Sequence, residues 1–498
     1  MSNKYLNMVF LGLLFVQIVL LIFFIDNTYT DGWNLRQAQT AMMTRNIAAD
    51  GLNFLPTRLD FFAPYNGEVI LEFPLLHSLT ALLNNWLGES ESNGRILILI
   101  FHTFNVITMF KILSYMFKSI TAKTFTVIYS FTPIVFYSAH AFIPETSMLF
   151  FYLMAFYLFL LTGNGAGKFF VNAAFRVTLS ILPLIKPIAG VIYFPILINS
   201  ANKGYKLFLR EIILLGICCF PFILWMTYGY FINNSDTSTG GDWANWSDIL
   251  FGRGGIVGNW INPEFYTNIL FSLIFLNATP IIMVFACLAI YKKIPFVERK
   301  FINIWAMANI AVLLLFAGAN RGHPYYQIYF VPIILIYAAA YFDQLINGLK
   351  EIQIKKVLFI LIASHVLISL SVFMFGVDEN KRISNLQEFK NVTQEHLMEM
   401  PKTRDSFVII QTENMTSGVY DYYLNKYTQQ FSLKHHKYPL LHLDKQVAEG
   451  AKYLFMINSS YANTINISKN NNDYWRWLEK NAIKKYESGS MILFELND

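Results

Sequence analysis

Unbroken apolar stretches recur along the first three quarters of this chain, and no other feature restricts the fold so tightly. They lie at about 8–25, 96–117, 123–140, 146–162, 170–185, 187–199, 209–231, 267–291, 301–317, 325–346 and 355–375. A helix needs roughly 20 apolar residues to cross a hydrocarbon core about 30 Å thick. Inside lipid the backbone has no water to bond, so only a helix or a closed barrel can cross. These runs are continuous rather than alternating, which selects helices. The pattern predicts a polytopic α-helical membrane protein of about eleven spans. Composition agrees. Of 498 residues, 55% are hydrophobic and only 14% charged, where a soluble domain carries roughly 25% charge. Mean hydropathy is +0.41.

Charge placement orients the bundle. With the N-terminus inside, the cytoplasmic loops carry Lys118 and Lys123, Lys168 and Arg176, Lys203, Lys206 and Arg210, Lys292, Lys293, Arg299 and Lys300, then Lys350, Lys355 and Lys356. The opposite loops, at 26–95, 138–146, around Lys186, 232–266 and 318–323, hold nearly all the loop carboxylates and tryptophans. The bias supports an odd span count and a C-terminal part outside the cytoplasmic (inner) membrane. The first run is too long for a signal h-region and no small-x-small cleavage site follows, so it is expected to be an uncleaved span. The net charge of +6 suits loop lysines facing anionic lipid rather than a nucleic-acid surface. Cys218, Cys219 and Cys287 all lie in apolar runs, with no Cys/His spacing for zinc.

After about residue 375 the composition changes. Residues 376–498 hold fifteen acidic and fifteen basic side chains, a soluble-like balance. Residues 383–400 are amphipathic at helical spacing, and 475–486 read as a further helix. Residues 407–411, 453–457 and 491–494 read as buried strands, and 469–473 as a turn. The expected organisation is a membrane-embedded domain at 1–375 with a long first outer loop at 26–95, followed by a small outer α/β domain at 376–498. No internal repeat or low-complexity tract interrupts it.

The first outer loop is the segment richest in chemistry. A membrane protein needs only a few residues to turn around, and long ordered loops are where function concentrates. Asn34-Leu-Arg36-Gln37 fits a capping box opening a helix at about 35–49, whose Ala38, Ala41, Met42 and Ile47 would form the apolar face of a surface-lying amphipathic helix. Asp31 precedes it and either favours the helix dipole or acts on substrate. Asp60 is either a turn carboxylate or a catalytic one. Glu72 sits among apolar residues at the bilayer edge, where a charge is costly unless paired or functional.

Beyond that loop, Lys186-Pro187 interrupts an apolar run, and its lysine either snorkels or serves the site. Arg321, His323, Tyr325 and Tyr326 open a span on the same outer side, a group suited to an anionic headgroup or to an interfacial belt. Trp243, Trp246 and Trp260 carry the same two readings, belt or sugar-stacking surface. Pro144-Glu145 begins a span and caps it. Acidic groups, cations and aromatics on one membrane face suit transfer from a lipid-linked phosphate donor. A carboxylate takes a proton from an acceptor hydroxyl, and fixed cations meet the charge growing on the departing phosphate.

The series Arg36-Gln37-Ala-Gln-Thr-Ala41, Arg45-Asn46, Asp60 and Glu72-Phe-Pro-Leu75 resembles the first outer loop of GT-C fold glycosyltransferases. The branch includes protein mannosyltransferases, aminoarabinose transferases and rhizobial lipopolysaccharide transferases. His323 to Pro332 resembles a recurrent late-span segment of that branch, and Lys186-Pro187 a mid-chain one. The resemblance covers residues 1–375. It implies a polyprenyl-phosphate-sugar donor and inverting transfer of a hexosyl or pentosyl group to a cell-envelope glycan, lipid or protein. Relatives carry an Asp-Glu pair where this chain has Arg36-Gln37, so Asp60, Asp31 and Glu72 remain as base candidates, in that order. Arg36, Gln37, Lys186, Arg321, His323, Tyr325 and Tyr326 are the expected donor-phosphate and substrate contacts. No cofactor is expected, and no metal is required. Two other readings stand beside this one: a lipid-linked glycan flippase, which would be expected to show repeat symmetry and midplane charges, and an inactive relative that binds lipid-linked sugar.

Overall fold

The computed structural model describes residues 3–29, 31–53, 55–62, 64–162, 168–233, 255–377, 385–403, 406–412, 417–431, 439–458 and 464–497. Trp243 and Trp246 lie outside them. The chain divides into two compact units. The first comprises residues 1–25, 95–227 and 244–376, and the second 26–94, 228–243 and 377–498.

The first unit is helical. Each apolar run of the sequence is mainly helical, the long helices being Glu91–Met116, Tyr205–Asn233 and Glu351–Val377. Among the described residues four helices are long and apolar enough to cross a membrane, or five if one bent pair counts as a span. The shorter apolar helices Asn7–Phe23, Glu145–Leu161 and Phe169–Ile185 are built from other runs of the series.

Several runs are broken where proline dictates. Ser119–Phe131 stops before Pro133–Ser138, and Pro263–Leu276 meets Pro280–Tyr291 at a bend of 100°. Proline has no N–H to give the preceding turn, so Pro133 and Pro280 stand at helix starts, where that donor is not needed. Lys186 owes its position to the same chemistry. The ring of Pro187 excludes the α region for its predecessor, and Lys186 is extended (φ −150°, ψ 116°) between Lys168–Ile185 and the 3-10 turn Pro187–Ile192. The lysine therefore sits at a break, out of the line of either helix.

The second unit contains a five-stranded sheet with β1 Phe407–Gln411, β2 Thr428–Phe431, β3 Ala451–Ile457, β4 Ala482–Glu487 and β5 Met491–Leu496. Their order is β2-β1-β3-β5-β4, with β1 parallel to β2 and β3, and β5 antiparallel to β3 and β4. β1 is buried along its whole length, as a central parallel strand must be. Phe407, Ile409, Leu454, Met456 and Ile492 form its core with Tyr474 from helix Asn472–Asn481. Each such fully buried side chain contributes roughly 1.5–3 kcal/mol.

Three expectations are corrected here. The helix expected over 475–486 ends at Asn481, and 482–487 is the edge strand β4. Its isolated pattern is polar, and it is a strand because β5 pairs with it; Lys484 and Lys485 keep that edge from pairing further. The capping box does not form. The residue preceding the first-loop helix Asn34–Ala49 is Trp33, in the left-handed region at φ 58°, with no side-chain cap. The Asn34 side chain accepts from Leu35 N instead (2.7 Å). Nor does that helix lie on a surface with one apolar face. Gln37, Thr40 and Thr44 are buried along with Ala38, Ala41 and Met42, because Leu75–Leu87 and Ser417–Leu424 both pack on it.

Candidate functional site

In the second unit the segment after the first apolar helix is an ordered structure. Residues 57–69 fold back on themselves. Leu59 N donates to Gly67 O and Val69 N to Thr57 O, both at 2.9 Å, and the reversal uses Gly67 at φ +68°. Beyond it residues 70–74 form neither helix nor strand and bend at Glu72, with Ile70 held by Asn233. The Asn233 side chain accepts from Ile70 N and donates to Ile70 O, each at 2.8 Å, so one amide satisfies both backbone groups of a single residue. Gly229, one turn earlier, makes room: a Cβ there would stand 2.9 Å from Ile70 Cγ2.

Two residues after Ile70, the carboxylate of Glu72 receives a charge-assisted hydrogen bond from Arg36. Their side chains are 12% and 7% exposed, so the pair is largely withdrawn from water. His77 Nε2 lies 4.0 Å from the same carboxylate. On the neighbouring turn the Gln37 side chain donates to the carboxylate of Asp31 and, at 2.8 Å, to Gly32 O. Asp31 and Gln37 are fully buried. The missing Asn34 cap is thereby replaced: Gln37 reaches back over the helix start and bonds what precedes it.

Asp60 is held differently. Its Oδ2 accepts from Arg45 Nη2 (2.8 Å) and Lys402 Nζ (2.9 Å), and Oδ1 from Asn46 Nδ2 (2.9 Å). Its backbone O accepts from Thr428 N (2.9 Å). Burial alone would raise the proton affinity of this carboxyl. Arg45, Lys402 and the Asn46 hydrogen bond outweigh it and bring the pKa below the ordinary value of 3.8. At Lys402 burial lowers the pKa from 10.5, and Asp60 offsets part of that.

In the first unit Lys186 Nζ pairs with Glu145 Oε1 at 3.0 Å, with side chains 9% and 1% exposed. The Tyr326 ring lies 5.0 Å from the same ammonium. Tyr325 and Tyr326 rings are 4.9 Å apart, His323 is within 5.4 Å of both, and Tyr325 Oη is 3.1 Å from His323 Nδ1. Lys186, His323, Tyr325 and Tyr326 therefore form one group. Arg321 is half-exposed, on the short helix Ala317–Gly322, and makes no described contact with that group.

Reading the sequence missed Glu145 as an ion-pair partner, along with His77, Asn233 and Lys402. Glu145 sits beside Pro144 at a helix start, where a cap is the ordinary reading, and only packing brings Lys186 to it. Asn233 is the last residue of the long apolar helix Tyr205–Asn233, with nothing local to mark it. His77 could have been found, being five residues after Glu72 in an apolar helix.

No protein-family model matches the sequence, and no curated protein matches it. Solved structures do match. ArnT from Cupriavidus metallidurans bound to undecaprenyl phosphate is similar with a TM-score of 0.62 and 11% identity, over 99% of this chain and 98% of that one. The oligosaccharyltransferase AglB from Archaeoglobus fulgidus, in complex with an inhibitory peptide and a dolichol-phosphate, is similar with a TM-score of 0.55 and 13% identity, over 98% of this chain and 74% of that one. The apo form of the Archaeoglobus fulgidus oligosaccharyltransferase gives 0.54 and 12%, over 90% and 69%. This chain is thus a polytopic helical membrane protein of the GT-C fold with a C-terminal α/β domain.

Proposed function

We propose that the protein is an integral-membrane glycosyltransferase that moves a sugar from a polyprenyl-phosphate carrier to a cell-envelope acceptor. The observation that carries this reading is the end-to-end similarity to ArnT, a structure that holds undecaprenyl phosphate. Fold alone does not make a function, so the residues must supply the chemistry. The acceptor hydroxyl oxygen attacks the anomeric carbon as the bond from that carbon to the phosphate oxygen breaks. A first-loop carboxylate takes the hydroxyl proton, and the polyprenyl phosphate leaves with the bonding electrons. One such displacement inverts the anomeric centre.

Asp60 suits the base role poorly, because three donors and a lowered pKa make it a weak proton acceptor. We assign it to holding the loop and leave Asp31 and Glu72 as the base candidates. Glu72 orients Arg36 if Asp31 is the base. Arg36 and Gln37 on one unit, and Lys186, Arg321, His323, Tyr325 and Tyr326 on the other, are proposed as donor contacts, each group on its own chemistry. Cations stabilise the leaving phosphate, and aromatics hold sugar or prenyl chain. We place the N-terminus inside the cytoplasmic membrane and the 376–498 domain outside it, and take eleven spans as the full count.

The test is transfer in lipid nanodiscs with defined undecaprenyl-phosphate sugars. Wild type should consume at least one donor. Asp31→Asn or Glu72→Gln should lower turnover by about 10²–10⁴-fold, the range of general-base loss. Wild-type turnover in both variants would end the loop-carboxylate mechanism. Binding without turnover would mark an inactive relative. One feature favours the flippase reading: the 100° break between Pro263–Leu276 and Pro280–Tyr291 is the kind of discontinuous helix transporters use. Movement of a fluorescent lipid-linked glycan across proteoliposomes without transfer would select it.

A further inference from the structure

We propose that Lys402 is a positioning residue for sugar transfer: through Asp60 and Arg45 it sets where helix Asn34–Ala49 holds Arg36. The inference rests on the proposed role of Arg36 at the donor phosphate. It goes beyond that role by giving the C-terminal domain a part in the reaction.

One buried carboxylate joins two distant parts of the chain. Asp60 is 1% exposed and binds Arg45 and Asn46 of the first-loop helix on one side and Lys402 on the other. The grip extends beyond that carboxylate. Arg45 Nη1 donates to Tyr422 O (2.9 Å), with the guanidinium 4.9 Å from the Tyr422 ring. Asp60 O accepts from Thr428 N at the start of β2, and Phe62 bridges to Gln429 of the same strand. Lys402 also donates to Asn425 Oδ1 at 3.2 Å. Residues 402, 422, 425, 428 and 429 thus hold the C-terminal half of the helix and the loop after it.

Arg36 lies nine residues before Arg45. At 1.5 Å and 100° per residue, that is about 13 Å along the axis and half a turn round it. A helix is stiff over this length, so a tilt of about 10° at the gripped end moves the Arg36 end by roughly 2 Å. That exceeds the tolerance of a charge-assisted hydrogen bond and of catalytic positioning. Lys402→Met leaves Asp60, Arg45 and Asn46 in place, with Tyr422 and Thr428 still bonded to Arg45 and Asp60, and removes only the cation that the 376–498 domain places on the Asp60 carboxylate.

The full chain in nanodiscs tests this with Lys402→Met and Lys402→Arg, read by amide hydrogen exchange and by undecaprenyl phosphate binding. Lys402→Met should speed exchange at 34–49 while β1 and β3 keep their protection. It should also weaken undecaprenyl phosphate binding about tenfold or more, the loss of roughly one charge-assisted hydrogen bond. Lys402→Arg should restore both. Unchanged exchange at 34–49, loss of protection across the sheet, or loosening of the helix with unchanged binding would each overturn the inference. If wild type fails to bind undecaprenyl phosphate, the proposed donor class falls, and the exchange measurement alone decides whether Lys402 positions the helix.

Discussion

At the scale of single residues, the first loop shows how partners decide what a carboxylate can do. Asp31, Asp60 and Glu72 are all acids in one short segment, and all are buried or nearly so. Asp60 has two cations and an amide on it, and its folded pKa lies below 3.8. A lowered folded pKa means that the native state holds the proton less tightly than the unfolded chain. The stabilisation from Asp60 is therefore complete above the unfolded value and is lost as pH falls from about 4 through the folded value. Hydrogen-exchange protection of residues 57–62 should be flat from neutral pH down to about 5 and then fall in wild type. In Asp60→Asn that acid-dependent step should vanish, leaving a pH-independent deficit of about 1.5–3 kcal/mol, the range for losing hydrogen bonds to a charged group. An acid step unchanged in Asp60→Asn would show that another group carries it. Asp60 was readable from sequence as a charged loop residue. That it anchors the loop was not, because Lys402 is 342 positions away.

At the scale of elements, proline and glycine wrote the breaks legibly, while pairing partners were hidden. Pro133, Pro187 and Pro280 mark interruptions that follow from a missing N–H. The three strands with continuous apolar residues were readable, but β2 and β4 were not. β4 has only partly buried or exposed positions, and its conformation comes from β5 beside it. The segment before Glu72 is a similar case. Ile70 lies outside any helix or strand, and Asn233 takes the place of a neighbouring strand for both its backbone groups. Asn233→Ala should leave the Ile70 N–H and C=O without partners, costing about 1–3 kcal/mol for each buried group. Amide exchange at 69–72 should rise by one to two orders of magnitude while the β1–β3 core stays protected. Equal exchange in both proteins would show that Ile70 is held by packing alone.

At the scale of the whole molecule, apolar length carries the fold class and lysine bias the proposed orientation. Both are one-dimensional quantities, which is why fold class could be read from sequence when identity to these similar solved structures is only 11–13%. The proposed orientation makes a direct prediction. In a cysteine-free background, Lys480→Cys should react with a membrane-impermeant maleimide on spheroplasts, whereas Lys350→Cys should react only after lysis. Both positions are exposed, so access rather than burial decides the result. The reverse pattern would invert the topology.

The sequence alone determined that this chain lives in a bilayer as helices, that it carries a small α/β domain after them, and that its first long loop is charged beyond the needs of a turn. Those features depend on hydrophobic transfer and local backbone sterics, which act residue by residue. Tertiary structure decided the rest. It made Gln37 rather than Asn34 bond the turn before the first-loop helix, paired Lys186 with Glu145, and put Arg45, Asn46 and Lys402 on the Asp60 carboxylate. It also grouped residues 26–94 with 377–498 as one compact unit. The physical reason is common to all four. A buried charge or backbone amide must find a partner, and packing chooses that partner from any distance along the chain.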